Sequence, residues 1–404
     1  MSNRQALGGI RVLDFTDDLG AYASRLLSDL GAAVLRIDTP AVWPACTGEP
    51  PFEVNGGRGI SLFDRFVNAG KQRVMVDPAT PQGRALLARL AADADVLIES
   101  SWHGNTVGIT EGFNARLIHV IVTPFGRGLN PNWAPVDDLI VLGAGGLLYL
   151  GGYQDTGPVA AYGGQSRYAA SIFAAAATLV ALIDRERSGR GTTIDVSAQE
   201  CIAQALEDSV PTFALTGNER MRYGTVAREA GTGTYACADG YVSMVAGRLG
   251  TARAWSALVE WFNDEGAEGT EVLLDPRWSE FAYRQTDEAI EGFTRIFEGF
   301  AATRSKLAIY IEAQRRGIAL SPVNEIRDLI HDPQLQDREF FLSVKDEELG
   351  ATLTFPGSPY RLSLTPAVVG KKPEHLVDNS WRFTGDGGLL SDAEYESLVP
   401  WGTT

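Results

Sequence analysis

The chain has 404 residues, is 45% hydrophobic and carries a formal net charge of −16. That length accommodates two to three domains with an ample core, and the negative field excludes nucleic acid as a partner unless a local basic site overrides it. Three cysteines, at 46, 201 and 237, are too widely spaced for a ligand motif and odd in number, which excludes a disulfide scaffold, predicts no metal and fits a reducing, cytoplasmic compartment.

From the N-terminus, MSNRQALGG has no apolar signal core, so export is not expected. Strands are predicted at Ile10 to Phe15, Val34 to Asp38, Val96 to Glu99 and Leu117 to Val122, alternating with helical segments; Thr80 reads as an N-cap with Pro81 at the first helical position. This alternation favours a parallel α/β sheet. Residues 41 to 67, rich in Pro and Gly, read as an irregular insertion. Asp137-Asp138, before the apolar run Leu139 to Leu142, read as a helix N-terminus whose carboxylates face the positive end of the dipole. Asp155 sits in Gly152-Tyr153-Gln154-Asp155-Thr156-Gly157-Pro158, which is ordinary turn chemistry.

Gly163-Gly164 form a tight turn, after which Ser166 to Arg187 have the Ala-rich composition of a helix. Its apolar tract, Tyr168 to Ile183, is shorter than a membrane span and closed by Asp184-Arg185-Glu186-Arg187, so no membrane insertion is expected. Ser188-Gly189-Arg190-Gly191 turn the chain into a β-branched strand, Thr192 to Val196, and Ser197 opens another helix. Leu215 to Thr234 carry turns, and the Gly231-Thr232-Gly233 loop begins a second domain that runs to about Pro322. Helices are expected from Thr251 to Phe262 and Asp287 to Arg316, then a return through Ser321-Pro322-Val323-Asn324. The division is 1–214, 215–322 and 323–404, the tail from Gly370 being a polar arm.

Several of these segments, in this order, resemble one family: Gly9-Ile10-Arg11-Val12-Leu13-Asp14-Phe15, Leu26-Leu27-Ser28-Asp29-Leu30-Gly31-Ala32, Asn68-Ala69-Gly70-Lys71, the Arg187 to Ser197 run RSGRGTTIDVS, the Tyr235 to Val242 run YACADGYV, and Phe355-Pro356-Gly357-Ser358-Pro359. They are similar to class III CoA-transferases (CaiB/BaiF, formyl-CoA transferase-like). The resemblance implies an α/β chain with a Rossmann-like parallel-sheet large domain and a smaller α+β domain, ring-shaped and interlocked with a second ring as a dimer. It also implies acyl transfer through an aspartate that opens the Ala-rich helix, with a coenzyme A thioester as substrate and no tightly bound cofactor.

The motif places that aspartate at Gln165. An amide delocalises its nitrogen lone pair into the carbonyl and bears no charge, so it cannot form the anhydride, and no catalytic residue is expected in this chain. The family's racemases carry a His-Asp pair where Asp137-Asp138 stand here. None of the histidines at 103, 119, 331 and 375 takes that role, and two matched proton carriers are lacking.

The expected nucleotide site is weak as well. Where the family reads Ala-Gly-Pro-Tyr-Ala, Asp17-Asp18-Leu19-Gly20-Ala21 present two carboxylates that would repel phosphate, and Asn-Phe is replaced by Ser100 and Ser101 before Trp102. No basic residue stands in Asn105 to Gly108, which leaves Arg36 and Lys71 as the remaining phosphate candidates. Gly231, Thr232 and Gly233 match the family's flap loop or serve as a connection. Some family members pair two different subunits, among them a succinyl-CoA:benzylsuccinate CoA-transferase. The chain therefore reads as the non-nucleophilic subunit beside a related catalytic partner; the alternatives are a homodimeric thioester-binding or regulatory pseudoenzyme and an isomerase using other residues.

Overall fold

The computed structural model describes residues 5–39, 52–55, 58–102, 114–128, 136–225, 227–246, 252–346 and 349–370. The chain divides into two compact units: Met1–Tyr149, Val159–Arg220 and Gln334–Thr404 form the first, and Leu150–Pro158 with Met221–Pro333 the second. The second unit thus opens at Met221 rather than 215, closes at Pro333 rather than 322, and takes in a short piece from before the Ala-rich helix. Cys46, His103, His375, Asn105 to Gly108 and the tail at 371–404 lie outside the described residues.

In the first unit, β1 (Arg11–Phe15) leads through α1 (Ala21–Asp29) to β2 (Ala33–Asp38). β3 (Phe52–Asn55) and β4 (Arg58–Ser61) pair antiparallel, and α2 (Leu62–Val67) follows. Thus residues 52–55 and 58–67 hold two paired strands and a helix where an irregular insertion was expected, and 41–51 and 56–57 lie outside the described residues. The Gly56-Gly57 pair between two four-residue strands is a hairpin signal, but strands that short show no readable period.

β5 (Gln72–Met75), α3 (Pro81–Asp93), β6 (Val96–Ser100) and β7 (Ile118–Thr123) continue the α/β alternation. Thr80 caps α3 as expected, its hydroxyl accepting from the Gly83 amide at 3.0 Å. After α4 (Asp138–Ala144), the Ala-rich helix α5 runs from Gln165 to Ser188, and β8 (Thr193–Ser197) completes the sheet. Its order is β5-β2-β1-β6-β7-β8, with every pairing parallel. β7 (IHVIVT) is buried throughout, which is why it reads as a continuous apolar run instead of an alternating one. The edge strand β5, QRVM, was missed because four residues of mixed polarity resemble a loop.

Two glycines fix the ends of α5. Gly164 has φ 67 and Gly189 φ 69, left-handed values that strain other residues. One face of α5 buries Ala170, Ala174 and Ala181 against Val12, Val34 and Val120 of the sheet and Ala23 and Leu27 of α1. Small side chains let the helix axis approach the strands. By length and composition α5 could also cross a membrane, but that alanine face belongs to the core. The opposite face exposes Ile172, Val180 and Ile183. On the other side of the sheet, Leu13, Leu35, Val74, Leu87 and Leu90 make a second core layer.

The two helices after β8 are α6 (Ala198–Gln204) and α7 (Ser209–Thr216). In the second unit, β9 (Thr232–Cys237), β10 (Gly240–Val245) and β11 (Leu320–Pro322) form an antiparallel sheet in the order β11-β10-β9. It packs with α8 (Ala252–Asp264), α9 (Asp287–Ala301) and α10 (Lys306–Arg315) around Trp255, Trp261, Phe262, Trp278, Phe293 and Phe297. The stretch expected to be helical, Asp287 to Arg316, divides into two helices at Ser305, which caps α10. The chain then returns to the first unit as the hairpin β12 (Phe341–Asp346) and β13 (Ala351–Pro356), where Phe355 meets Phe66 edge-on at 5.8 Å.

The return segment is also held by α1: the Val368 amide donates to the Asp29 carbonyl at 2.8 Å, while Arg25 Nε donates to the Asp29 carboxylate at 2.8 Å. Burial outweighs Arg25 and raises the Asp29 carboxyl from 3.8 to about 6. A raised folded-state value stabilises the fold fully below the unfolded value of 3.8, and this contribution disappears as pH climbs through about 6. Denaturant unfolding at a series of pH values should therefore show stability increasing from neutral pH toward 5, with the slope reduced in Asp29→Asn.

Candidate functional site

In an open parallel sheet, ligands bind beyond the carboxyl ends of the strands where the order of connections reverses. Here that point lies between β1, which connects onward to β2, and β6, which connects onward to β7. Two turns meet there: Thr16 to Gly20 after β1, and Ser101-Trp102 after β6.

Ser100 joins them. Its hydroxyl accepts from the amides of Asp17 (2.9 Å) and Gly20 (3.2 Å) and donates to Asp17 Oδ1 at 2.5 Å. Asp17 Oδ1 also accepts from the Leu19 amide at 3.1 Å, and Asp17 Oδ2 from the Trp102 amide at 2.9 Å. Asp18 Oδ1 accepts from the Trp102 indole at 2.8 Å, and Asp18 Oδ2 lies 2.9 Å from Arg167 Nε. Arg167 in turn lies over the rings of Phe63 (5.6 Å) and Trp102 (5.9 Å). Ser101 contributes its amide to the Val122 carbonyl at 3.2 Å.

The expectation that Asp17 and Asp18 present charge to an incoming phosphate is corrected: they are only 8% and 5% exposed, and their oxygens turn inward onto protein donors. Burial raises the Asp17 carboxyl above its ordinary value, against the opposing pull of Ser100 and the Trp102 and Leu19 amides. Sequence reasoning saw the two carboxylates but missed Arg167, whose signal was a charge two residues into a helix that carries no other before Asp184.

Arg36 and Lys71, the two phosphate candidates, are buried beneath this turn. Lys71 Nζ donates to Asp14 Oδ2 (2.7 Å), the Ala21 carbonyl (2.8 Å) and Asn68 Oδ1 (2.9 Å). Arg36 Nε donates to Asp38 Oδ1 at 2.8 Å, and its Nη1 lies 3.7 Å from Asp14. Burial works against the Asp14 charge, but Lys71 and Arg36 prevail and lower its carboxyl from 3.8 to about 2. As placed, both cations balance internal carboxylates.

At the start of α5, Gln165 is exposed and its amide nitrogen donates to the Tyr162 carbonyl at 2.6 Å. Beside it, Asp138 Oδ1 accepts from both the amide and the hydroxyl of Ser166, at 2.8 and 2.6 Å. Asp137 caps α4 through the Ile140 amide at 3.2 Å, so the capping role read for the Asp137-Asp138 pair is divided: one residue caps α4, the other ties down α5. Asp155 is exposed in a turn. His119 lies 2.6 Å from Glu99 on the neighbouring strand. Among the described residues, no group of three or more His, Cys, Asp or Glu could hold a metal ion.

Gly231, Thr232 and Gly233 belong to the second unit and do not form a free loop. Gly231 takes the turn at φ 82, while Thr232 and Gly233 open β9 opposite Val245 and Met244. Thr232 Oγ1 donates to the buried Glu229 at 2.9 Å. The β-branched threonine and the following Tyr235 extend strand pairing into a segment that its glycines had marked as a loop.

The sheet order, the glycine-bounded helix and the second antiparallel unit together define a two-unit α/β chain, and a family model for CoA-transferase family III matches residues 7–376. The chain belongs to that family. It is 36% identical over 383 residues to the succinyl-CoA:(R)-benzylsuccinate CoA-transferase subunit BbsE of Thauera aromatica, covering 93% of each chain. A succinyl-CoA–D-citramalate CoA-transferase of Chloroflexus aurantiacus is 27% identical, covering 90% of this chain and 89% of its own. In fold it matches a CaiB/BaiF family protein from Brucella suis with a TM-score of 0.77 at 24% identity, over 92% of this chain and 97% of that one.

Because Asp138 satisfies two donors of Ser166, Asp138→Ala should cost about 1–3 kcal/mol in denaturant unfolding, with Asp138→Asn losing less. Hydrogen exchange should quicken at the first turn of α5 in the alanine variant.

Proposed function

We propose that this chain is the non-nucleophilic subunit of a heteromeric CoA-transferase, paired with a related subunit that carries the aspartate. The complex moves coenzyme A from a thioester, succinyl-CoA, to a carboxylic acid of the benzylsuccinate type. The observation that carries the proposal is Gln165: at the first residue of α5 stands an exposed amide whose nitrogen is committed to the Tyr162 carbonyl. An acyl group cannot be accepted there, although the helix, its glycine cap and its anchor on Asp138 are all in place.

Two further observations support a partner. The relative from Thauera aromatica is itself named as a subunit. The face of α5 turned away from the core carries Ile172, Ala176, Val180 and Ile183 at intervals of three to four residues, all exposed, and α7 adds Phe213 and Leu215. An apolar stripe of this kind is a surface to be covered. In an interlocked pair of rings the partner would cover it, and this chain would complete one wall of the partner's site.

Native mass spectrometry and a succinyl-CoA transfer assay on the chain alone, on its paralogue alone and on both together test the proposal. The expected outcome is a stable mixed complex with transfer activity and no activity from this chain by itself. A homodimer with full activity would refute it. Gln165→Asp in the isolated chain should leave transfer absent, since the carboxylate alone does not restore a thioester site.

A further inference from the structure

The turn after β1 carries a second departure from an active chain, independent of Gln165. At the switch point of a parallel sheet, an anionic ligand is ordinarily received by backbone amides of the β1–α1 turn, by the first turn of α1 and by the strand end next to it. In this protein four of those amides have partners already. The Leu19 and Trp102 amides point to Asp17, the Asp17 and Gly20 amides point to Ser100, and Ser100 donates back to Asp17. Asp18 holds the Trp102 indole N–H and pairs with Arg167, the cation at the head of α5 that also lies over the Trp102 ring.

The packing is as closed as the hydrogen bonding. A Cβ added at Gly20 would come within 2.8 Å of Ser100 Cβ and 3.0 Å of Thr16 Cγ2, so the turn rests directly on the end of β6 with no room beneath it. All four carboxylate oxygens of Asp17 and Asp18 face protein donors, and both residues are more than nine-tenths buried.

We propose that this crevice is occupied from within: the Asp17 and Asp18 carboxylates stand where the anionic and aromatic-stacking parts of an adenine nucleotide would lie, and exclude it from this chain. The closure rests on the geometry of the first unit. Only the choice of ligand class, the nucleotide end of coenzyme A, rests on the reading of the chain as a family III subunit.

Adenosine 3′,5′-bisphosphate, titrated calorimetrically into the full chain, is the probe. Wild type is expected to show no saturable binding tighter than ~1 mM. Asp17→Ser, which removes the carboxylate and keeps a small hydroxyl, should bind the probe at least about tenfold more tightly. Saturable wild-type binding below ~1 mM would overturn the proposal, as would a folded Asp17→Ser no better than wild type. If Asp17→Ser does not fold, Asp18→Asn is read by the same criterion, because it keeps the side-chain shape while releasing the charge on Arg167. Subunit pairing is measured separately by native mass spectrometry, so failure of one reading leaves the other standing.

Discussion

The first unit depends on how the end of β1 is neutralised. Asp14, fully buried, faces the Lys71 ammonium and the Arg36 guanidinium and also accepts from the hydroxyls of Thr16 and Ser24, each at 2.6 Å. Lys71 uses its remaining donors on the Ala21 carbonyl and Asn68, so a single ammonium ties β1, the start of α1 and the segment beyond α2 together. Desolvating such groups costs several kcal/mol each, and a packed apolar cluster could match the result, so the network is poor evidence for stability. Its consequence is geometric. It fixes the direction in which the chain leaves β1, and therefore where Asp17 and Asp18 point.

Arg36 extends the same network to Asp38, and Arg73 carries it on to Asp38 and Asp64 at 2.9 and 2.7 Å. A cation in this arrangement has two possible roles, ligand contact or internal balance, and sequence does not separate them. Residue type and motif position make Arg36 and Lys71 phosphate candidates. What they lacked was the burial of Asp14, Asp38 and Asp64 around them. A charge on a buried strand is assigned by its opposite number across the sheet, and that pairing is long-range information.

The fold was legible wherever a long period or a forced backbone state marked it. β1, β2, β6 and β7, the Thr80-Pro81 helix start and the glycine-bounded α5 are each encoded in a few adjacent residues, and the motif order supplied the rest of the topology. Legibility failed where local signals competed. Glycines at 231 and 233 looked like a loop because the strand partner that holds them, β10, lies beyond the next turn. The four-residue strands β3, β4 and β5 offered too few positions for an alternation to appear. The site followed the same rule: Gln165 could be found from the residues around it, whereas the inward turn of Asp17 and Asp18 depended on Ser100, Trp102 and Arg167, which stand 80 to 150 positions away in the chain.

On the proposed reading, a chain without the nucleophile that keeps the elements presenting it is held to that shape by something other than its own chemistry. The helix head shows the pattern. Gly164 retains its left-handed turn, Asp138 its grip on Ser166, and Arg167 its place on Asp18, while the one side chain between Gly164 and Ser166 is an amide. These contacts are needed if α5 is to sit at a fixed depth against the sheet, and the outer face of α5 is the apolar stripe that a partner would cover. Position of the stripe and position of Gln165 are set by one rigid helix, so a requirement on the first preserves the geometry of the second.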